Sequence, residues 1–272
     1  MNLGNAHALV TGGSRGIGPR IARALLERGA SVTITARTRG DLELIRHRID
    51  SDRVAAVTAD VTNPGDRARL HAEAESALGP VDVLVNNAAI EEVAPFAEQA
   101  GTTIGRIVAT NLAAPMQLAR LVLPGMLERA RGHVVNVSSI AGKAAVPYNT
   151  AYAATKHGLN GFTYSLRSEL RGTGVGVSAV LPGYVEEVGL FSRWIDTRIP
   201  RATGARTTAG KVAAAVVRAI ERDLVEVLVS GFLPRFSDLA LAISPRMSDA
   251  LARRTGAYGL LEKQARADRD RS

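Results

Sequence analysis

Two residues that can exchange protons stand four positions apart, Tyr152 and Lys156, in a stretch whose pattern predicts a helix over Ala151–Arg171. Residues four apart on a helix share a face, so the phenol and the ammonium group can act on one bound molecule. A phenol with a pKa of about 10 is a poor base at neutral pH, but a nearby positive charge favours the phenolate and lowers that pKa. The pair therefore indicates acid–base chemistry on an alcohol or carbonyl oxygen. The structural alternative is an ordinary pair on an amphipathic surface.

A glycine-rich turn is the second pattern, with the sequence Thr11-Gly12-Gly13-Ser14-Arg15-Gly16-Ile17-Gly18. It lies between a predicted strand, His7–Thr11, and a predicted helix, Ile17–Arg28. Glycines allow a tight turn and a close approach of the backbone to a pyrophosphate, and the helix start offers free N–H groups. Glycine-rich loops are common, but this position between a strand and a helix indicates a dinucleotide site, and the P-loop pattern is absent.

Short apolar runs alternate with longer amphipathic runs over residues 1–230, which is typical of repeated strand–helix–strand units. Strands joined by crossover helices must be parallel, with helices on both faces of the sheet. The sequence therefore predicts a single doubly wound α/β domain of the Rossmann type, with a seven-stranded parallel sheet. The predicted strands are His7–Thr11, Ser31–Arg37, Val54–Ala59, Val81–Asn86, His133–Ser138, Val177–Leu181 and Val225–Val229.

Helices are predicted between these strands, and one of them, within Gly101–Arg129, is expected to be irregular near Gly105 and Pro124. The other predicted helices are Ile17–Arg28, Asp41–Ile49, Pro64–Leu78, Ala151–Arg171 and Val212–Arg222. Residues 231–272 form an amphipathic pattern that predicts a C-terminal helical extension of the same domain. A role as a lid, a subunit interface or a membrane-contact element stays open for it.

Charge and composition narrow the function classes. The net charge is +8, without a compact Lys/Arg block, so we expect a solvated basic surface and no nucleic-acid partner. Cysteine is absent and the five histidines show no ligand spacing, so no metal site is predicted. Without a visible signal peptide or an uninterrupted apolar stretch of about 18 to 20 residues, we expect a cytoplasmic protein with no integral membrane segment.

The glycine-rich turn resembles the cofactor turn of the short-chain dehydrogenases/reductases, and the rest of that family's pattern follows in order over residues 1–230. Ser139 precedes Tyr152 by thirteen residues, and Lys156 follows Tyr152 by four. Each element alone is weak, but the full series is specific and is similar to that of NADP-preferring, 3-oxoacyl-carrier-protein reductase-like members. The matching segments are Asp60-Val61, Asn86-Asn87-Ala88-Ala89, Asn111, Ser139, Tyr152, Lys156 and Pro182-Gly183.

The resemblance implies roles for individual residues. Tyr152 would be the proton donor and acceptor, Ser139 would bind the substrate oxygen, and Lys156 would also bind the nicotinamide ribose. Asn111 would hold a water that links Lys156 to solvent. The implied cofactor-binding residues are Gly12, Ser14, Arg15, Gly16, Ile17, Gly18, Arg37, Asp60, Val61, Asn87, Ala88, Tyr152, Lys156, Pro182, Gly183 and Val185.

The end of the second predicted strand indicates NADP(H) rather than NAD(H). An acidic residue there would bind the ribose diol, whereas this strand ends Thr35-Ala36-Arg37. Arg37, with Arg15 and Ser14 from the glycine-rich turn, is suited to pair with a 2′-phosphate. The alternative is that both arginines are only surface charges.

The substrate is less well defined. The pocket is expected to be walled by Ile90–Phe96, Ile140–Tyr148 and Tyr184–Ile199. Phe191, Trp194 and Ile195 suggest an apolar lid, within the irregular segment Glu186–Thr208, which shows little periodicity. Glu187 stands where the family often has a threonine. We expect a small-molecule ketone or aldehyde and the matching alcohol; a 3-oxoacyl thioester and a non-catalytic NADP(H)-binding regulator are the alternatives. The resemblance also implies a homo-oligomer, a tetramer or dimer formed through the two long central helices.

Overall fold

The strands and helices alternate along the chain in the computed structural model, which describes residues 1–186 and 206–230. The strands are β1 (His7–Thr11), β2 (Ser31–Ala36), β3 (Val54–Thr58), β4 (Val83–Asn86), β5 (Gly132–Val137), β6 (Val175–Pro182), β7 (Tyr184–Val185), β8 (Arg206–Thr207) and β9 (Glu226–Val229). The helices are α1 (Gly18–Glu27), α2 (Arg39–Ile49), α3 (Pro64–Leu78), α4 (Gly101–Val108), α5 (Ala114–Glu128), α6 (Thr150–Glu169) and α7 (Ala209–Glu221).

Seven of these strands form one parallel sheet in the order β3-β2-β1-β4-β5-β6-β9. β1 pairs with β2 on one side and with β4 on the other, so Val10 lies between Ile34 and Val85. From β1, the chain adds β2 and β3 on one side of the sheet and β4, β5, β6 and β9 on the other. In sheets of this kind, ligands bind in the crevice outside the carboxyl ends of the strands where the order reverses. The doubly wound fold with a seven-stranded sheet, predicted from the alternation of apolar runs, is confirmed.

Helices cover both faces of the sheet, because the central strands are apolar on both sides. One face packs against α1 and α7, through Ile21, Leu25, Val216 and Ile220. The opposite face packs against α3, α5 and α6, through Leu70, Leu118, Val122 and Leu166. This burial on two faces explains why the strands are nearly continuous runs of Val, Leu, Ile and Ala.

The bounds of α3 agree with the sequence prediction at both ends, because local signals fix them. The Asn63 side chain caps the helix by accepting from the Asp66 N–H, and Pro64 occupies the first position, where its missing N–H costs nothing. Gly79, at φ 83°, ends it. Most other elements differ from their predicted bounds by one to three residues.

The long helix before β5 departs from the prediction. Irregularities were predicted near Gly105 and Pro124, but both residues lie inside regular helix, so that prediction is wrong. The irregular part is instead a π turn, Ala109–Ala113, between α4 and α5. Pro115 follows it and has no N–H to bond the carbonyl four residues back, which is that of Asn111. The π turn therefore sits where the α-helical bonding would fail.

The same helix bears on the prediction that no segment spans a membrane. Gly101–Glu128 is by length and composition apolar enough to cross one, with a mean hydropathy of 1.2 over 18 residues. However, 39% of that window is buried inside the fold, where α5 packs on β4, β5 and α3. A core helix passes the same test, so this is weak evidence for a membrane span.

One region that the sequence left without structure contains a short strand. The predicted irregular segment Glu186–Thr208 ends in β8, which pairs in parallel with β7 to form a separate two-stranded sheet. The predicted lid residues Phe191, Trp194 and Ile195, the unusual Glu187 and the C-terminal extension 231–272 lie outside the described residues.

We expect His133 to make the fold sensitive to acid. Its ring is buried in β5, where Nε2 lies 2.8 Å from Oγ of Ser178, and burial lowers its pKa to about 4. An unfolded chain binds a proton at a pKa of about 6.5, so stability falls as the pH drops below that value, by about 2 kcal/mol at pH 5. Thermal unfolding should show a Tm loss between pH 7 and pH 5 that is smaller in His133→Gln.

His47→Gln, which changes an exposed histidine, is the matched control and should lose as much Tm as the wild type. His7 is also buried with a lowered pKa, so part of the acid sensitivity will survive in His133→Gln. Equal losses of Tm in the wild type and in His133→Gln would contradict the prediction.

Candidate active site

The glycine-rich turn between β1 and α1 has a backbone conformation that residues other than glycine rarely adopt. Gly12 and Gly16 both have φ of 67°, in the left-handed region. A Cβ atom on Gly18 would lie 2.1 Å from the Gly12 carbonyl oxygen, and one on Gly13 would lie 2.6 Å from Cβ of Ile34. No side chain caps the start of α1 at Ile17. The turn therefore leaves the backbone bare at the edge of the sheet, as a phosphate site requires.

Thr11 fastens this turn to the segment after β4. Its Oγ1 accepts hydrogen bonds from the backbone N–H groups of Asn87, at 2.9 Å, and Ala88, at 3.0 Å. Asn87 Nδ2 in turn donates to the Thr11 carbonyl at 2.8 Å. Three residues predicted to contact the cofactor, Gly12, Asn87 and Ala88, are thereby brought together. The sequence analysis assigned Thr11 no role beyond the first position of the motif.

The end of β2 lies beside the same turn. The Gly13 N–H donates to the Thr35 carbonyl at 2.9 Å, and Arg37 follows two residues later. Arg15 and Arg37 are exposed, and Ser14 is half-buried. Among the ion pairs of the described residues, neither arginine takes part. Both are therefore available to an anionic group at this edge.

The segment after β3 and the segment after β6 complete the predicted cofactor edge. Asp60 Oδ1 accepts from both N and Oγ1 of Thr62, at 2.9 and 2.7 Å, which fixes the turn that buries Val61. On the other side, the Gly183 N–H donates to the Val229 carbonyl at 2.9 Å. Pro182 ends β6 and Val185 is buried in β7. All these residues lie at or just beyond the carboxyl ends of their strands.

Tyr152 and Lys156 face Ser139 across the gap between α6 and the end of β5. Lys156 is 2% exposed; its Nζ donates to the Val137 carbonyl at 2.9 Å and lies 5.5 Å from the centre of the Tyr152 ring. The Ser139 side chain lies near the Tyr152 hydroxyl and acts to lower its pKa. Ser139 also accepts from the Ala141 N–H, at the start of a 3₁₀ turn, Ile140–Gly142. The three side chains form one cluster.

Asn111 joins this cluster from the π turn. Its Oδ1 accepts from the Ile90 N–H at 2.9 Å, and its Nδ2 donates to the Ile90 carbonyl at 2.8 Å and to Thr155 Oγ1 at 3.3 Å. Thr155 directly precedes Lys156. Asn111 therefore connects the segment after β4 to α6 beside Lys156, and the water that would link Lys156 to solvent stays a prediction.

The electrostatic balance at Tyr152 differs from the sequence prediction. Lys156 was expected to lower the Tyr152 pKa, but burial raises that pKa, Glu91 raises it further, and only the Ser139 hydrogen bond opposes them. Burial also lowers the pKa of Lys156 to about 8, against an opposing effect of Glu91. Lys156 thus keeps its proton at neutral pH, and Tyr152 is held as a phenol.

Two residues near the cluster were given no individual role by the sequence reasoning, although Glu91 lies in the predicted pocket wall Ile90–Phe96. Glu91 accepts a hydrogen bond from Asn149 Nδ2 at 2.8 Å, and Asn149 immediately precedes α6. They are 58 positions apart, and neither belongs to a motif that marks it. Within residues 1–186 and 206–230, no cluster of three or more His, Asp or Glu side chains is arranged to hold a metal ion.

The doubly wound sheet, the bare glycine turn and the Ser139/Tyr152/Lys156 cluster define a class of protein, the dinucleotide-dependent oxidoreductases. The model of the short-chain dehydrogenase family matches residues 6–197, and the chain belongs to that family. The ketoacyl reductase HetN of Nostoc sp. is 40% identical over 266 residues, which cover 94% of this chain and 91% of that protein. Dehydrogenase/reductase SDR family member 7B of Rattus norvegicus is 31% identical, over 90% and 79% of the two chains.

Two solved structures are similar to this chain over most of their length. A metagenomic short-chain oxidoreductase in complex with NADP has a TM-score of 0.72 at 34% identity, over 86% of this chain and all of that one (100%). A variant of actinorhodin polyketide ketoreductase with NADPH has a TM-score of 0.76 at 32% identity, over 88% and 98% of the two chains.

Proposed function

We propose that the protein is an NADPH-dependent oxidoreductase that interconverts a ketone or aldehyde and an alcohol, with Tyr152 as the general acid and base. The observation that carries the proposal is the convergence of Tyr152, Lys156 and Ser139 at the carboxyl edge of the sheet, where the glycine turn leaves the start of α1 without a side-chain cap. A nucleotide sensor needs no such proton-transfer cluster. The NADP and NADPH in the two similar structures support the cofactor assignment.

The residues at the edge fit NADP(H). The turn fits a pyrophosphate because the N–H groups at the start of α1 have no side-chain cap, and the exposed Arg15 and Arg37 are suited to pair with a 2′-phosphate. The cofactor supplies the hydride when it is bound. The residues proposed to hold it are Gly12, Ser14, Arg15, Gly16, Ile17, Gly18, Arg37, Asp60, Val61, Asn87, Ala88, Tyr152, Lys156, Pro182, Gly183 and Val185.

Proton movement follows from the charges around Tyr152. Its raised pKa keeps the phenol protonated, so Tyr152 can donate to a carbonyl oxygen as that oxygen gains electrons. The Lys156 ammonium stabilises the phenolate that forms, and the Ser139 hydroxyl holds the substrate oxygen beside the phenol. Asn111 positions α6 against Ile90. In the reverse direction the phenolate takes the alcohol proton.

A 3-oxoacyl thioester reductase is the second candidate. HetN carries the name ketoacyl reductase and matches nearly the whole chain, and a putative ketoacyl reductase of Streptomyces coelicolor is 41% identical over 66% of it. The first candidate describes the reaction and this one narrows its substrate, so one assay separates them.

NADPH oxidation at 340 nm, measured on simple ketones, aldehydes and acetoacetyl thioesters, tests the proposal. We expect turnover with at least one carbonyl class, because the proton donor and its supporting groups are in place. Turnover on thioesters and not on free ketones would select the second candidate. Tight NADPH binding with no turnover on any compound would contradict both and favour the non-catalytic regulator.

The homo-oligomer and the cytoplasmic location stay predictions. A tetramer or dimer through α4, α5 and α6 is supported by exposed apolar side chains on the first two of these helices: Val108, Met116 and Leu127. Such side chains favour contact with another protein surface.

A further inference from the structure

A carboxylate lies beside the proposed proton donor and has no part in the mechanism above. Glu91 follows Ile90 in the segment after β4, and Asn149 holds its Oε2 at 2.8 Å. Asn149 directly precedes α6, the helix that carries Tyr152 and Lys156. The carboxylate is close enough to Tyr152, Lys156 and Tyr184 to affect the pKa of each. Glu91 therefore belongs to the wall of the substrate pocket.

Both residues are held firmly in place. Asn111 fixes the backbone of Ile90, next to Glu91, through its N–H and its carbonyl. On the other side, Tyr148 has a φ of 63°, and its carbonyl accepts from the Ala94 N–H at 2.8 Å. A tyrosine in the left-handed region persists only where its surroundings enforce it. Tyr148 thus holds a strained backbone conformation directly before Asn149, the residue that contacts Glu91.

Two acceptor atoms in this wall have no donor among residues 1–186 and 206–230. Glu91 Oε1 and Asn149 Oδ1 are both buried and make no hydrogen bond within that part of the chain. A carboxylate oxygen only accepts, so the amide nitrogen of Asn149 must face Glu91, which leaves the amide oxygen as a second acceptor. Buried acceptors without donors cost free energy, and a ligand that donates hydrogen bonds would remove that cost.

The charged and polar groups around Glu91 also favour a ligand that donates hydrogen bonds. The groups around Glu91 are the Lys156 ammonium and the phenols of Tyr152 and Tyr184, and Lys156 is already bonded to the Val137 carbonyl. The Glu91 pKa is raised overall, because burial outweighs the opposing effects of Asn149 and Lys156. A substrate that brings a hydroxyl or an ammonium group to Oε1 would gain a charge-assisted bond, whereas a substrate carboxylate would meet like charge.

We propose that Glu91, supported by Asn149, is a specificity-determining residue that binds a hydroxyl or ammonium group on the substrate, near the carbonyl that Tyr152 protonates. The substrates of this enzyme are then hydroxy- or amino-substituted ketones and the matching alcohols, and 2-oxo acids are excluded. This rests on the proposed carbonyl reductase function and narrows its substrate class.

The test compares ketones that differ by one group: a 2-ketone, its 1-hydroxy and 1-amino derivatives, and the 2-oxo acid of equal length. The wild type should show the higher kcat/KM on the hydroxy- or aminoketone. Glu91→Gln should reduce that preference about tenfold or more, mainly through KM, because it removes the charge. The amide keeps an acceptor oxygen, so kcat/KM should fall more for an ammonium substrate than for a hydroxyl substrate. This difference identifies which donor group Glu91 binds.

Glu128→Gln, which removes an exposed carboxylate at the end of α5, is the control and should keep the wild-type preference. NADPH binding, followed by fluorescence, verifies that Glu91→Gln retains a folded cofactor site. A loss of kcat/KM that is equal on every ketone, with the preference retained, would overturn the proposal, since Glu91 would then act only through Tyr152 and Lys156. A wild type that reduces the parent ketone without preference overturns it while leaving the proposed function intact; a wild type that reduces no carbonyl compound overturns both.

Discussion

Tyr152→Phe is expected to lower kcat for carbonyl reduction by about 10³-fold, with the Kd for NADPH changed little. The substitution removes only the hydroxyl whose pKa Ser139 influences and leaves the ring beside Lys156. A positioned side chain that transfers a proton contributes about 10² to 10⁴-fold to a rate, and Tyr152 is the proposed proton donor. The measurement is single-turnover NADPH oxidation, together with fluorescence titration of NADPH.

Tyr164→Phe is the matched control for this substitution. Tyr164 lies on the same helix, but its hydroxyl donates to Glu226, away from the cluster. Its loss should leave kcat within about threefold, a change below 1 kcal/mol in the barrier. A Tyr152→Phe variant that keeps a tenth or more of the wild-type kcat would remove Tyr152 from the role of proton donor.

Arg37→Asp should reverse the cofactor preference, lowering kcat/KM for NADPH by about 100-fold or more relative to NADH. Arg37 is exposed just after β2, so a 2′-phosphate would lose a charge-assisted bond worth about 1.5 to 3 kcal/mol and meet a negative charge instead. An acid at this position also suits the ribose diol of NADH. Initial rates with the two cofactors on one substrate measure the ratio.

Arg48→Asp makes the same change of charge at an exposed position at the far end of α2 and should leave the ratio unaltered. If Arg37→Asp also kept the wild-type ratio, Arg37 would be only a surface charge, and recognition of the phosphate would fall to other residues.

The sequence predicts the fold well where local chemistry is decisive. The Asn63 cap, Pro64 and Gly79 define α3 without reference to the rest of the protein, and the strands are recognisable because burial on two faces makes them continuous apolar runs. The glycine turn is equally local, since its positive φ angles and close approaches exclude side chains.

Features that depend on tertiary contacts were not predictable in the same way. The Tyr152 pKa was expected to fall because of Lys156, but the direction is set by burial and by Glu91, which is 61 residues earlier in the chain. The pairing of Glu91 with Asn149 leaves no periodic signal. The π turn is explained by Pro115, but its role in the site depends on the contact of Asn111 with Ile90, which only the tertiary structure shows.

The π turn also limits how the chain can change its length. Each residue of an α-helix turns the chain by about 100°, so deletion of Thr110 would rotate α4 by about that angle relative to α5. Asn111 would then lose its two bonds to Ile90, and the apolar stripe of α4 would face away from α6. Exposed positions of this helix can exchange residues with little cost, whereas loss of a single codon inside the turn would separate the two sides of the active site.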